Sequence, residues 1–158
     1  MSSFRVRALL VGGSAIAIAA CASAQNQTVL ADAEPMSVKG TQGTVLTAEP
    51  LETFDGAWAM AFLPDGRALV TEQDGDLWLL DKTGAKAGKI SNVPTVTPRG
   101  QGGLGDIIVH PDFASNGIVF ISYVERDAEN DELSGAAVER AKLTLTEDGG
   151  SLSERDII

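Results

Sequence analysis

The stretch Ala57-Trp58-Ala59-Met60-Ala61-Phe62-Leu63-Pro64-Asp65-Gly66 decides the fold. Large side chains stand at 58, 60 and 62 and alanines at 57, 59 and 61, a period of two with both faces apolar. That pattern predicts a β-strand buried on both sides. Pro64-Asp65-Gly66 then predicts a tight turn, because proline presets φ and glycine accepts a positive φ. A second strand is expected over 67–72, a hairpin turn at Asp74-Gly75 and a third strand over 76–81, which together make an antiparallel meander.

The signature returns downstream. Ile107-Ile108-Val109-His110-Pro111-Asp112 is again an apolar strand ending in Pro-Asp, followed by a turn at 113–117 and a strand over 118–124. Pro64 and Pro111 lie 47 residues apart, inside the roughly 40 to 50 residue period of propeller blades. A further strand is expected over 138–146, with Ala141, Leu143 and Leu145 on one face and Lys142, Thr144 and Thr146 on the other. Residues 151–158 begin another element that stops on two isoleucines without a turn or cap. A β-sandwich also uses short strands at this spacing, but the doubly apolar strand and the repeat favour a β-propeller, whose blades stack face to face. Four such blades need about 190 residues. Residues 51–158 are 108 residues, a little over two blades.

Composition agrees with this class. Of 158 residues, 17 are Gly and 6 Pro, which disfavours a helical bundle, and 44% are apolar, as in a globular chain. The formal charge of −10 repels phosphates, so nucleic acid is not an expected partner. At the N-terminus, Arg5 and Arg7 precede an apolar run over 8–20, about 13 residues and too short for the ~20 that span a bilayer. This is the form of an export signal. Two processing sites overlap after it: Ala22-Ser23-Ala24 suits ordinary cleavage, and Ile18-Ala19-Ala20-Cys21 resembles a bacterial lipobox, with lipidation at Cys21. The expected order is a signal peptide over 1–24, a polar tether with a candidate edge strand at 44–48 within 25–50, and the propeller segment over 51–158. The protein is then exported and periplasmic, and it meets a membrane only if lipidated at Cys21. Cleavage after Ala24 leaves 134 residues with a charge of −12.

The chemistry-bearing motifs are few. Gly100, Gly102 and Gly105 satisfy G-x-G-x-x-G, but two prolines precede them and β-branched residues follow, so the helix that dinucleotide binding needs has no place. Arg99-Gly100-Gln101-Gly102-Gly103 reads instead as a loop leading into the first strand of a blade, the one that lines a propeller's channel. Gln101 there either orients a polyol or carbonyl-bearing ligand or faces solvent on a tight turn. His110, the only histidine, precedes Pro111-Asp112 and is expected to bond across its turn to Asp112 or backbone. With no second histidine, and Cys21 the only cysteine, a zinc site and an internal disulfide are excluded. The acidic run 125–132 lacks the glycine and terminal glutamate of a calcium-binding EF-hand loop and reads as a solvated loop. No G-x-S-x-G elbow occurs.

Trp58-Ala59-Met60-Ala61-Phe62-Leu63-Pro64-Asp65-Gly66-Arg67, Leu69-Val70-Thr71-Glu72, Arg99-Gly100-Gln101-Gly102-Gly103-Leu104 and His110-Pro111-Asp112-Phe113 together resemble the glucose/sorbosone dehydrogenase family. These are soluble quinoproteins, aldose sugar dehydrogenases that use pyrroloquinoline quinone (PQQ). The resemblance covers residues 56–158 and implies an all-β, six-bladed β-propeller of which this chain is the N-terminal fragment, roughly the first two blades. It implies PQQ beside calcium in a central cavity, an aldose substrate oxidised at the anomeric carbon by hydride transfer to the quinone, and an external electron acceptor. Gln101 falls on the family's substrate-side glutamine and His110 on a blade turn. The resemblance places the catalytic histidine, the quinone-holding arginines and lysine and the calcium ligands beyond Ile158, so this chain alone is expected to be inactive. A non-catalytic propeller fragment or binding module and a calcium-dependent sugar lactonase-type propeller remain as alternatives.

Overall fold

The computed structural model of the chain describes residues 34–130 and 132–158. The expected export signal, the two candidate processing sites and Cys21 lie outside the described residues. β1 (Met36–Lys39) and β2 (Val45–Ala48) pair as an exposed antiparallel hairpin. The candidate edge strand at 44–48 thus has a partner strand that the polar sequence around Met36 did not signal.

The remaining strands form two four-stranded antiparallel meanders. The first holds β3 (Ala57–Phe62), β4 (Ala68–Glu72), β5 (Leu77–Leu80) and β6 (Lys86–Ser91). The second holds β7 (Leu104–Val109), β8 (Ile118–Arg126), β9 (Ser134–Leu145) and β10 (Gly150–Ile157). A two-residue parallel bridge, Gly150 to Ile90 and Ser151 to Ser91, joins their outer strands, giving the order β3-β4-β5-β6-β10-β9-β8-β7. The two meanders are successive blades of a β-propeller, with β3 and β7 as their inner strands. The element expected from 151 onward is β10, the outer strand of the second blade.

The blades meet through alternating side chains. Leu69, Leu77, Leu79 and Ile90 of the first pack in one core with Leu104, Ile107, Val119, Ile121, Ala141 and Leu143 of the second. A β-bulge between Leu104 and Ile107 puts both of those residues on the core face although three positions separate them. The 47-residue repeat is structural: Pro64-Asp65-Gly66 turns β3 into β4, and Pro111-Asp112 with the one-turn helix α1 (Phe113–Asn116) turns β7 into β8.

The expected three-strand meander gains a fourth strand, and one expectation changes. The fourth strand of the first blade, β6, carries no strong alternation, since Ile90 is its only buried residue. And β3 is buried on one face only: Ala59 and Ala61 are half-buried, whereas Trp58, Met60 and Phe62 are 50%, 55% and 70% exposed. The large side chains share their face with Ala68, Val70 and Leu80, a second apolar cluster over which no blade of the described residues lies. Alternation reports that both faces of β3 are apolar, not that both are covered.

Candidate functional site

The loop 99–103 sits where the inner ends of the two blades meet. Its path begins with Thr97, whose N–H donates to the Val124 carbonyl (2.8 Å). It closes with Gly102 N–H donating to Arg99 O (3.0 Å) and Val124 N–H donating to Gly103 O (2.9 Å). Gly100 has φ +63° and Gly103 φ +113°, and a Cβ at Gly103 would collide with the carbonyl oxygen of Gln73. The glycines therefore permit both the left-handed turns and the close approach to the neighbouring blade. No helix follows; β7 does, as the argument against dinucleotide binding required.

Gln101 is exposed at the crest of this loop, ahead of β7. What fixes the loop is Gln73, in the turn between β4 and β5. Its side-chain amide donates to Gly100 O and to Gly102 O, both at 2.8 Å, and its own carbonyl accepts from Leu104 N–H at 3.0 Å. Next to it, fully buried Thr71 donates its hydroxyl to Gly105 O (2.8 Å) and accepts from Ala59 N–H (3.0 Å), tying β3, β4 and β7 together. Buried Glu72 accepts from Asp55 N–H (2.7 Å) and from the Trp78 indole (2.9 Å). Lys86 lies over the rings of both Phe54 and Trp78. The run Thr71-Glu72-Gln73 thus anchors the inner edge. Apart from the Glu72–Trp78 bond, its side-chain bonds reach 12 to 34 residues along the chain, and no local sequence rule links such positions.

His110 is used in its turn, as expected. Its Nδ1 accepts from Asp112 N–H at 3.0 Å and stands 3.1 Å from the Asn116 amide nitrogen. Asn116 Oδ1 accepts from Ile118 N–H (2.8 Å), which leaves its NH2 to face the imidazole and fixes the proton on Nε2. The ring stacks near Phe120. The acidic run begins in β8, which holds Glu125 and Arg126, and residues 127–130 beyond it form an exposed loop in which Asp127 Oδ1 accepts from the N–H groups of Glu129 and Asn130. Among the described residues no three His, Cys, Asp or Glu side chains gather in a group able to hold a metal ion.

A second polar cluster lies within the second blade, on β8, β9 and β10. Glu139, 2% exposed, receives a bidentate pair from Arg155 and the hydroxyl of Tyr123 (3.3 Å). Burial, reinforced by the Glu139 charge, pushes the Tyr123 hydroxyl above its usual value; the hydrogen bond to Glu139 raises Arg155.

A sequence profile of the Glucose / Sorbosone dehydrogenase family matches residues 54–158. Aldose sugar dehydrogenase YliI of Escherichia coli (strain K12) is 38% identical over 96 residues, 59% of this chain and 25% of its own length. The apo-form structure of the soluble aldose sugar dehydrogenase from Escherichia coli superposes with a TM-score of 0.58 at 32% identity, over 66% of this chain and 29% of that one. The PQQ-bound aldose sugar dehydrogenase from Streptomyces coelicolor gives 0.55 at 28% identity, over 67% and 30%. The chain thus spans between a quarter and a third of these relatives' lengths. Two stacked blades, the repeated Pro-Asp turns and the glycine loop clamped between the inner strands lie within the matched segment, and the chain belongs to the glucose/sorbosone dehydrogenase family.

Proposed function

We propose that this chain is the N-terminal part of an exported, periplasmic quinoprotein that oxidises an aldose at the anomeric carbon, and that Gln101 hydrogen-bonds the sugar. The observation that carries the reading is the placement of Gln101: exposed, on a rigidly held loop at the inner end of β7, where an amide can both donate to and accept from a polyol. Family membership and the PQQ-bound relative support the cofactor.

In the proposed reaction the sugar loses hydride from its anomeric carbon and a proton from its hydroxyl, and becomes a lactone. A quinone held by the complete protein would supply an electrophilic carbonyl as hydride acceptor, and an external acceptor would take up the electrons. Calcium and a polyanionic quinone require clustered oxygen ligands and several cations. The described residues do not fit that demand: no such acidic cluster occurs among them and the 99–103 loop offers Arg99 alone. His110 Nδ1 is engaged within its turn. What this segment contributes is the sugar-facing glutamine and the scaffold that aims it.

Gln101→Ala in the complete protein tests the reading. Loss of one directed hydrogen bond to substrate should lower kcat/KM for the aldose by about ten- to a hundredfold with the thermal midpoint unchanged. Kinetics equal to wild type would remove Gln101 from the site.

A further inference from the structure

We infer that Gln73 is a positioning residue for sugar binding, acting through Gln101, an inference that rests on the role proposed above for Gln101. Gln73 belongs to the first blade and Gln101 to the loop opening the second, so the clamp crosses the blade interface. Its two amide hydrogens go to the carbonyls of Gly100 and Gly102, the residues immediately before and after Gln101. The reverse amide orientation would set Oε1 against two carbonyl oxygens, so the donor assignment follows from the network. Its backbone adds two further bonds, donating to Gly56 O and accepting from Leu104 N–H, each 3.0 Å.

Besides Gln73, the crest is held by the backbone bond from Gly102 N–H to Arg99 O (3.0 Å), which closes the turn across Gly100 and Gln101. Gly100, Gly102 and Gly103 carry no side chains, and the space around a Cβ at Gly100 is open. Glycine-rich backbone loses the most freedom on ordering, so the direction of Gln101 depends on whatever pins the flanking peptides. Gln73 pins both, and a shift of about an ångström in a substrate-binding group is enough to weaken its use.

The test uses Gln73→Met, which keeps the length of the side chain and removes both donors, with Gln73→Glu as a second isosteric variant. Three readouts on the complete protein decide it. KM for the aldose should rise about tenfold with kcat changed far less, because the lost interaction serves binding. Trypsin cleavage after exposed Arg99 should accelerate about tenfold, since local opening of the loop exposes that bond. Combining Gln73→Met with Gln101→Ala should cost no more than Gln101→Ala alone, as expected for residues acting in series. Unchanged cleavage, or additive effects in the double variant, overturns the inference. If Gln101→Ala itself leaves sugar kinetics intact, the reading of Gln101 fails and the catalytic use of the clamp fails with it. Accelerated cleavage in Gln73→Met would then still demonstrate the clamp as a structural device, so the two failures are distinguishable.

Discussion

The hydroxyl of Thr71 donates to the carbonyl of Gly105 at 2.8 Å, a single bond that joins the second strand of one blade to the inner strand of the next. The same oxygen accepts from Ala59 N–H, so one side chain satisfies polar groups of two other strands in a site closed to water. Thr71→Val keeps the shape and leaves those groups unpaired. It should destabilise the complete protein by about 1 to 3 kcal/mol, read as a lower urea midpoint at constant m-value. An unchanged midpoint would show that the blades do not depend on this bond.

Gly103→Ala and Gly100→Ala separate close approach from backbone strain. Both glycines have positive φ, but a Cβ at Gly103 runs into the Gln73 carbonyl while one at Gly100 meets open space. Gly100→Ala should cost about 1 kcal/mol, the ordinary penalty of the left-handed region. Gly103→Ala should cost clearly more and disturb the Gln73 clamp. Equal thermal shifts for the two would contradict the packing described.

Glu139 and Arg155 form a pair whose carboxylate is buried while the guanidinium is partly exposed. Removing the cation strands a buried charge, so Arg155→Met should destabilise by about 2 kcal/mol, below the figure for a fully buried pair because water reaches Arg155. Adding Glu139→Gln should recover part of the loss. If it recovers nothing, the carboxylate is not the source of the cost.

Tyr123 gives the pH dependence. Its hydroxyl is raised in the folded state above the ordinary 10.0, first by burial and then by the Glu139 charge. The folded state therefore holds its proton where the unfolded chain releases it. The contribution is complete below pH 10.0 and is lost as pH climbs through the raised folded value. Stability should fall in this alkaline window, and Tyr123→Phe should flatten the fall in denaturation curves taken across it. An identical slope in the variant would exclude Tyr123 as the cause.

How much of this could be read from the sequence depends on the range of each interaction. β8 and β9 announce themselves because their buried residues alternate with a period of two, and β4 and β5 because each is a short, almost wholly buried run between turn residues. The Pro64 and Pro111 turns carry their own conformational instructions. β6 does not, because an outer strand needs few apolar residues: Gly88 is there to clear the Asp148 carbonyl, and only Ile90 is buried. Exposure of Trp58, Met60 and Phe62 was equally illegible, since an apolar face looks the same whether or not another layer covers it. In the site, the glycine spacing located the loop and Gln101. Gln73 stayed hidden because its partners stand 27 and 29 residues away and its amide could serve any surface turn.

The most direct test of the account is aldose oxidation by the complete protein that carries these blades, followed with an artificial electron acceptor with and without added PQQ and calcium. The account predicts reduction of the acceptor that requires the quinone and one lactone formed per two electrons transferred. Sugar-independent reduction, or hydrolysis of a lactone without any acceptor, would contradict it.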